Sequence, residues 1–204
     1  MDENSRSARK RAQIMAAATA AFLEHGYLGT SMDQVAAAAA VSKQTVYKHF
    51  ADKEQLFTSI LLAAMSPTVD QLLAGAATEP GGDVEADLMA LARNLVTAIW
   101  QPDVLRLRRL VIGEAARFPT LGRAYFEQGF EGGLSALAKS LSTVAARGGL
   151  RLDDPLTAAQ HLAGMVLWVP MNRAMFTGSD APLPDAERDH YCRAGVRAFL
   201  RAYG

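Results

Sequence analysis

Three consecutive helix starts are encoded in residues 30–57, TSMDQVAAAAAVSKQTVYKHFADKEQLF. Ser31 and Asp52 are each followed three residues later by a glutamine, which is the spacing of a capping box at the first turn of a helix. Between them, Ser42 is the kind of short polar residue that caps a helix N-terminus with its hydroxyl oxygen. The stretch therefore predicts three helices in close succession.

The spacing places the first two of these helices over residues 31–38 and 42–49, with a turn of about three to four residues between them. Five consecutive alanines, residues 36–40, lie at the end of the first helix and in the turn. Small side chains allow two short helices to cross closely, and alanine favours the helical backbone. These proportions are those of a helix-turn-helix.

The second of these two short helices has two chemically different sides. At about 100° per residue, Val46 and Phe50 share one side, whereas Gln44 and Lys48 project almost directly opposite. The polar side suits a DNA duplex, because glutamine can pair with an adenine edge and lysine with guanine or a phosphate. An ordinary amphipathic surface helix would show the same pattern, but the preceding helix and turn favour an interpretation as a DNA-reading helix.

The rest of the chain predicts an all-α protein. Apolar residues recur at spacings of three and four, and no sustained alternation of apolar and polar residues indicates a strand. The first helix is predicted over residues 7–25 and is closed by Gly26, which accepts the left-handed conformation of a helix end. Prolines and glycines divide the remainder into further helices, predicted over residues 53–65, 67–77, 83–100, 103–117, 120–146, 155–177 and 185–203.

Composition and charge fit a folded protein in a reducing compartment. The 204 residues carry no formal net charge, but residues 1–53 hold seven basic side chains against five acidic ones. The single cysteine, Cys192, excludes an internal disulfide, and no apolar run is long enough to span a bilayer. We expect a cytoplasmic protein with no cofactor and no metal site.

Residues 30–57 closely resemble the DNA-binding head of TetR-family transcriptional regulators, in particular through VSKQTVYKHF at residues 41–50. The resemblance implies that a set of residues around the turn faces DNA or its phosphates: Thr30, Ser31, Lys43, Gln44, Thr45, Tyr47, Lys48, His49 and Lys53. A helix start and its positive dipole attract phosphate independently of any resemblance. Where the family usually has glycine in the turn, this chain has Ala40, which raises the energy of a positive φ there by roughly 1 kcal/mol.

The resemblance divides the chain into a DNA-binding domain over residues 1–52 and an effector-binding and dimerisation domain over residues 53–204. Within the second domain, RLVIGEAARFPTLGRAYFEQG at residues 109–129 resembles the C-terminal domains of AefR-like members. The implied function is a ligand-responsive regulator that binds a palindromic operator as a homodimer and acts as a repressor. A small-molecule effector would release it by favouring a body conformation in which the two heads are wrongly spaced.

Dimerisation also follows from the size of the reading helix, because one short helix contacts few base pairs. Two copies on a twofold axis read half-sites about 34–36 Å apart, or a multiple of that distance. We expect the last two helices to pair, through the apolar positions Leu162, Val166, Val169, Val196, Phe199 and Leu200. Burial of these side chains within one chain is the alternative.

A pocket for the effector is expected among the helices of the second domain, with apolar walls and a few polar groups. Candidates chosen by residue type and helical position are Trp100, Arg106, Tyr125, Phe126, His161, Met165, Trp168 and Asn172. For each of them, a place in the hydrophobic core or on a solvated surface is the alternative.

Two other functions are compatible with an all-α chain of this kind. An enzyme is disfavoured, because no nucleophile elbow, phosphate-binding loop or metalloprotease motif is present and the four histidines are scattered. A dimeric DNA-binding protein without any effector remains the other alternative. A tightly packed second domain without a cavity would favour it.

Overall fold

All regular secondary structure in the described residues is helical. The computed structural model describes the backbone of residues 3–74 and 83–204, with side chains over residues 5–66 and 83–204. In chain order the elements are α1 (Glu3–Gly29), α2 (Met32–Ala38), α3 (Lys43–His49), α4 (Lys53–Ala74), α5 (Val84–Ile99), α6 (Pro102–Glu114), α7 (Pro119–Ala124), a π-helical segment (Tyr125–Phe130), α8 (Glu131–Ala145), α9 (Pro155–Thr177) and α10 (Asp185–Tyr203). The all-α prediction, with a helix-turn-helix near the N-terminus, is confirmed.

Two prolines lie within continuous helices. The structure corrects the break expected at Pro67, because α4 runs on to residue 74; the rest of the helix predicted over residues 67–77 lies outside the described residues. Similarly, α9 continues through the buried Pro170 to Thr177. A proline removes one backbone hydrogen bond, and tertiary packing of the remaining turns can hold such a helix together.

The helix predicted over residues 120–146 is instead divided into three pieces. A six-residue π-helical segment, Tyr125–Phe130, separates α7 from α8. The hydrogen bonds of such a segment span five residues instead of four, which changes which side chains face the same side. Sequence periodicity over this region therefore did not indicate the change in register.

The chain forms two compact units, and their limits differ from the predicted domain boundary between residues 52 and 53. Unit 1 comprises Met1–Ala64 and Arg106–Phe126, and unit 2 comprises Met65–Leu105 and Glu127–Gly204. The first part of α4 belongs to unit 1 because its apolar side chains, such as Phe57, are buried in the same core as those of α1 to α3. The assignment of functions to residues 1–52 and 53–204 stays a prediction.

The core of unit 1 is built around aromatic side chains. Phe22 of α1 lies 4.9 Å from Phe57 of α4 between ring centres, and Tyr27 lies 5.2 Å from Phe57. Phe118 packs against Tyr27 from the loop before α7, at 4.9 Å. Apolar side chains of α2, α3 and α6 complete this core. This core fixes the helix-turn-helix on a rigid base.

The core of unit 2 lies among α5, α8, α9 and α10. The structure corrects the predicted dimer contacts here, because Leu162, Val166, Val196 and Phe199 are fully buried within the chain and Leu200 packs against the same core. Of the predicted apolar positions, Val169 is exposed. The alternative of intrachain burial therefore holds for most of these side chains.

One side of α9 nevertheless remains apolar and exposed. This outer stripe consists of Met165, Trp168, Val169 and Phe176, with Trp168 72% and Phe176 86% exposed. Their spacings of three, one and seven residues place them on one side of a helix at about 100° per residue. No helix in the described part of the chain is both long and apolar enough to cross a membrane.

Candidate nucleic-acid interface

Local hydrogen bonds set the start of each helix in the helix-turn-helix. The Ser31 hydroxyl oxygen accepts from the Gln34 amide at 3.2 Å, and the Gln34 side chain accepts from the Ser31 amide at 2.7 Å, so the predicted capping box of α2 is confirmed. Ser42 caps α3 by accepting from the Thr45 amide at 3.1 Å. The Gln55 amide donates to Asp52 at 2.7 Å at the start of α4. Each of these caps joins residues three positions apart in the chain.

The turn between α2 and α3 has the hydrogen bonds of a Schellman motif. The Val41 amide donates to the Ala36 carbonyl at 3.1 Å, and the Ala40 amide donates to the Ala37 carbonyl at 3.0 Å. This motif requires a left-handed residue, and Ala40 has a φ of 49°. Gln13 of α1 fastens the turn by donating to the Ala39 carbonyl at 2.7 Å. Ala40, at the position where TetR-family regulators usually have glycine, therefore adopts a positive φ.

The structure separates the two sides of α3 as the sequence predicts. Val46 is fully buried and Phe50, which caps the helix, is 1% exposed. The exposed residues form what we call the reading face: Lys43, Gln44, Tyr47 and Lys48. Thr45 and His49 are half-buried, and the Thr45 hydroxyl lies 2.8 Å from the Ser42 hydroxyl. The reading face is thus a polar surface on an apolar anchor.

Lys43 is held by an acidic residue of α2 that the sequence did not single out. Its ammonium nitrogen lies 2.8 Å from one Asp33 carboxylate oxygen and 3.0 Å from the other. The hydrogen bond to Asp33 raises the pKa of Lys43. The same ammonium lies 6.0 Å from the centre of the Tyr47 ring. Part of the positive charge on the reading face is therefore neutralised within the protein.

Two residues predicted to contact phosphates also bond backbone carbonyls of unit 1. The Thr30 side chain is buried and its hydroxyl donates to the carbonyl oxygens of Gly26 and Ala21 at 2.9 and 3.1 Å. The Lys53 ammonium donates to the carbonyl oxygens of Tyr27 and Thr30, both at 2.9 Å. It also lies 4.6 Å from the centre of the Tyr27 ring. A phosphate contact at either residue stays a prediction.

Burial lowers the pKa of Lys53, while Glu114 of α6 acts in the opposite direction. The acceptors of Lys53 are backbone carbonyls at the end of α1, where the helix is interrupted at Gly26 with a φ of 74°. Such an end leaves carbonyl groups without partners within the helix, and a cation nearby stabilises them. Lys53 and Thr30 together provide hydrogen bonds to this end of α1.

The basic residues near the N-terminus belong to α1 rather than to an extended arm. Arg6, Arg9, Lys10 and Arg11 are exposed on the first turns of this helix. The Arg11 guanidinium lies 5.0 Å above the Phe50 ring, so it packs beside the end of α3. The helical backbone over residues 6–11 presents these charges on the surface of unit 1.

The predicted effector-binding residues do not gather around one cavity within either unit. Arg106, Tyr125 and Phe126 belong to unit 1, where Arg106 and Phe126 are exposed and burial raises the pKa of Tyr125. The other candidates belong to unit 2: Trp100, His161, Met165, Trp168 and Asn172. Periodicity selected them by helix face, whereas cavity walls depend on how helices pack.

Of the candidates in unit 2, Trp100 lies at the end of α5, and the others lie on the outside of α9. Met165 and Trp168 form part of the outer stripe, and Asn172 donates to the Trp168 carbonyl at 2.7 Å. His161 is exposed, and its Nδ1 lies 2.6 Å from the Tyr203 hydroxyl. These four side chains lie away from the core of unit 2, and a role for them in effector binding stays a prediction.

A groove of about 360 Å³ does open in unit 2, between the end of α5, the second half of α9 and the start of α10. Trp100, Pro170 and Leu183 provide apolar walls, and the paired side chains of Arg173 and Glu187 provide charge. The described residues contain no group of three or more histidine, cysteine or acidic side chains arranged to hold a metal ion.

Comparison with known proteins gives matches to both parts of the chain. A family model described as "Bacterial regulatory proteins, tetR family" matches residues 14–60. A second, described as "AefR-like transcriptional repressor, C-terminal domain", matches residues 86–204.

Individual proteins agree with these matches. A solved structure described as a TetR-family transcriptional regulator from Mesorhizobium loti MAFF303099 is 45% identical, with a TM-score of 0.88 and 98% of each chain covered. The structure of the flavonoid-responsive regulator FrrA is 31% identical, with a TM-score of 0.74, over 96% of this chain and 97% of that one. The transcriptional activator FasR of Mycolicibacterium smegmatis is 38% identical over 66 residues, which are 32% of this chain and 28% of FasR. The chain thus spans less than a third of the length of that curated relative.

Proposed function

Because this chain belongs to the TetR family of DNA-binding transcriptional regulators, we propose that it binds a palindromic operator as a homodimer in the cytoplasm and is released from it by a small-molecule effector. Proteins of this family regulate transcription as dimers on DNA and are not enzymes. The observation that carries the proposal is the exposed reading face of α3, set on the buried Val46 and Phe50.

The reading face offers groups that suit a major groove. Gln44 can bond an adenine edge in two places, Lys48 can bond guanine or a phosphate, and Tyr47 can donate to a phosphate oxygen. Tyr47 is 45% exposed despite its aromatic ring, so its hydroxyl is accessible to a partner. Ser31, Thr45 and His49 flank this surface and complete the proposed contact region.

The outer stripe of α9 supports dimerisation. Exposed apolar patches rimmed by polar residues are typical of interfaces with another protein. The following helix, α10, packs against α9 and exposes Ala194 and Ala198, whose small side chains permit close approach of another helix. We propose that α9 and α10 of two copies pair around a twofold axis, with the stripe of one copy against that of the other.

A response to a small molecule is the remaining part of the proposal. FrrA is described as flavonoid-responsive, and its likeness extends over nearly the whole chain, so flavonoids are the first effector class to test. An effector that favours one conformation of the dimer changes DNA affinity by a coupling energy of typically ~1–3 kcal/mol. Repression is proposed because the C-terminal family model describes repressors, although FasR is an activator.

Selection of bound sequences from a random duplex pool tests the proposal. We expect enrichment of an inverted repeat whose half-sites lie about 10 base pairs apart, or a multiple of that. Titrating flavonoids into the selected complex should then release the protein. Enrichment of sequences without twofold symmetry would contradict the homodimer, and undiminished binding in the presence of every ligand that binds the protein would contradict the effector response.

A further inference from the structure

The groove of unit 2 has walls that need little rearrangement to receive a ligand. They include Trp100 at the end of α5, Pro170 within α9 and Leu183 before α10. Pro182 and Pro184 line the same groove. A proline ring has almost no rotamer freedom to lose when a ligand packs on it. Walls of this kind lower the entropic cost of binding.

Hydrogen bonds fix the loop between α9 and α10, which forms one side of the groove. The Trp100 indole N–H donates to the Ala181 carbonyl at 3.3 Å, and this bond joins the loop to the end of α5. The Ala181 amide donates to the Ser179 hydroxyl oxygen at 3.2 Å. Trp100 is half-buried and packs against the core of unit 2. These contacts hold the indole and the loop in place on either side of the groove.

A pair of opposite charges provides the polar part of the groove. A guanidinium nitrogen of Arg173 on α9 donates to a carboxylate oxygen of Glu187 on α10. A guanidinium has further N–H donors and a carboxylate has a second oxygen, so the pair can bond a ligand while it stays intact. Because the two charges cancel, an uncharged ligand leaves neither of them unpaired. An anionic ligand would have to compete with Glu187 for Arg173.

We propose that this groove binds an uncharged, planar aromatic molecule that carries hydroxyl groups. Its rings pack on Trp100 and the proline rings, and its hydroxyl groups donate to Glu187 and accept from Arg173. A volume of about 360 Å³ is near the lower limit for small-molecule sites, so the ligand is small. The proposal rests on the effector response proposed above and gives it a location. A ligand here contacts both α9 and α10, the helices proposed to pair in the dimer.

Equilibrium dialysis of the full-length chain measures binding of three probes. Apigenin is a planar flavone with hydroxyl groups, flavone is the same ring system without them, and 4-hydroxybenzoate is an aromatic anion. Mildly acidic buffer keeps the apigenin hydroxyl groups protonated. Arg173→Met and Glu187→Gln change the charged pair. Arg93→Gln is the matched control, because Arg93 pairs with Asp189 of α10 at 3.2 Å and does not line the groove.

We expect the wild-type chain and Arg93→Gln to bind apigenin equally. Flavone should bind on the order of tenfold more weakly, and so should apigenin to Arg173→Met, because each case loses hydrogen bonds to a charged group. Glu187→Gln leaves the charge of Arg173 without its partner. This variant should therefore bind apigenin more weakly and 4-hydroxybenzoate more tightly than the wild-type chain does. Thermal unfolding of each free variant checks that it is folded.

Equal apigenin binding by the wild-type chain, Arg173→Met and Glu187→Gln would overturn the proposal, and so would a wild-type chain that binds no apigenin. Tighter binding of 4-hydroxybenzoate than of apigenin by the wild-type chain would overturn the assignment of an uncharged ligand. If Arg173→Met does not fold, the change of preference in Glu187→Gln decides.

The selected operator duplex separates this proposal from the proposed function. If apigenin binds in the groove and does not release the operator, the site stands and the effector response is contradicted. If apigenin releases the operator equally well from the wild-type chain and from Glu187→Gln, the effector response stands and its location in this groove is overturned.

Discussion

The Lys43 ammonium on the reading face lies 2.8 Å from the carboxylate of Asp33 on the preceding helix. Both side chains are more than half exposed, so the pair contributes little to stability, but it places a negative charge beside the proposed DNA surface. A phosphate approaching Lys43 must compete with this carboxylate. Asp33 therefore limits the electrostatic attraction of the free protein for DNA.

Replacement of Asp33 by asparagine should increase the affinity for mixed-sequence duplex. Lys43 is then available for a phosphate, and the slope of log affinity against log salt should increase by up to about one. Fluorescence anisotropy over a salt series measures both quantities. Asp153→Asn is the control, because it removes one exposed carboxylate from unit 2. Equal effects of the two substitutions would show that only net charge matters.

Substitutions of Tyr47 and Phe50 should have different effects: the first on DNA binding and the second on stability. Phe50→Ala should lower the free energy of unfolding by about 3–5 kcal/mol, because it empties a fully enclosed site in the unit 1 core. Tyr47→Ala should leave unfolding within about 0.5 kcal/mol of wild type and weaken operator binding. Urea unfolding and binding to the selected operator provide the measurements. Unchanged operator affinity in Tyr47→Ala would exclude this side chain from the contact region.

Ala40→Gly should stabilise the protein by up to about 1 kcal/mol, since Ala40 has a φ of 49° and glycine adopts that conformation without a steric penalty. The matched control is Ala37→Gly, three residues earlier within α2, where glycine should destabilise by roughly 0.5–1 kcal/mol. The free energy of unfolding should therefore increase in Ala40→Gly and decrease in Ala37→Gly. A loss of stability in both variants would mean that the positive φ at residue 40 is not strained.

Ionisation of the Tyr27 phenol should lower the free energy of unfolding at high pH. Burial, aided by the carboxylates of Glu54, Asp52 and Glu114, raises the pKa of Tyr27 to about 12. Because the pKa in the folded state lies above the ordinary value of about 10, the contribution of the neutral phenol is complete below pH 10 and is lost as the pH rises through 12. At about 1.4 kcal/mol per pKa unit, the full loss is about 2–3 kcal/mol.

Tyr27→Phe tests this pH dependence. Urea unfolding of both proteins between pH 9 and pH 12 should show a smaller decrease in the variant, because phenylalanine has no phenol to ionise. The pKa of Lys53 is lowered in the folded protein, so its loss of charge acts with the opposite sign in the same pH range. Lys53 is present in both proteins, and the comparison isolates Tyr27. Parallel profiles would contradict the role of the phenol.

Trp168→Glu should convert the proposed dimer to monomers. Trp168 is 72% exposed on the outer stripe of α9, and two charges facing each other across a twofold axis would oppose association. Gln160→Glu is the control, since Gln160 is exposed on α9 outside the stripe. Sedimentation velocity distinguishes the two states. A dimeric Trp168→Glu variant would place the interface elsewhere.

The parts of this structure that the sequence predicted correctly depend on contacts between near neighbours in the chain. The caps of α2 and α3 join residues three positions apart, and the burial of Val46 and Phe50 follows from helical periodicity. Most of the predicted dimer contacts are instead buried within the chain, because periodicity shows that a helix has an apolar side without showing what that side packs against. Trp168 and Val166 are two residues apart in α9, yet one is largely exposed and the other fully buried.

The sequence by itself determined where the helices of the helix-turn-helix begin and which side of α3 is apolar. Only the tertiary structure decided the partners of its lysines: Lys53 bonds carbonyls 26 and 23 residues earlier in the chain, and Lys43 pairs with an aspartate ten residues before it. The physical reason is the separation along the chain between the groups that interact. A cap is satisfied within one turn of backbone, whereas the acceptor that a long, flexible ammonium side chain finds depends on how separate helices are packed.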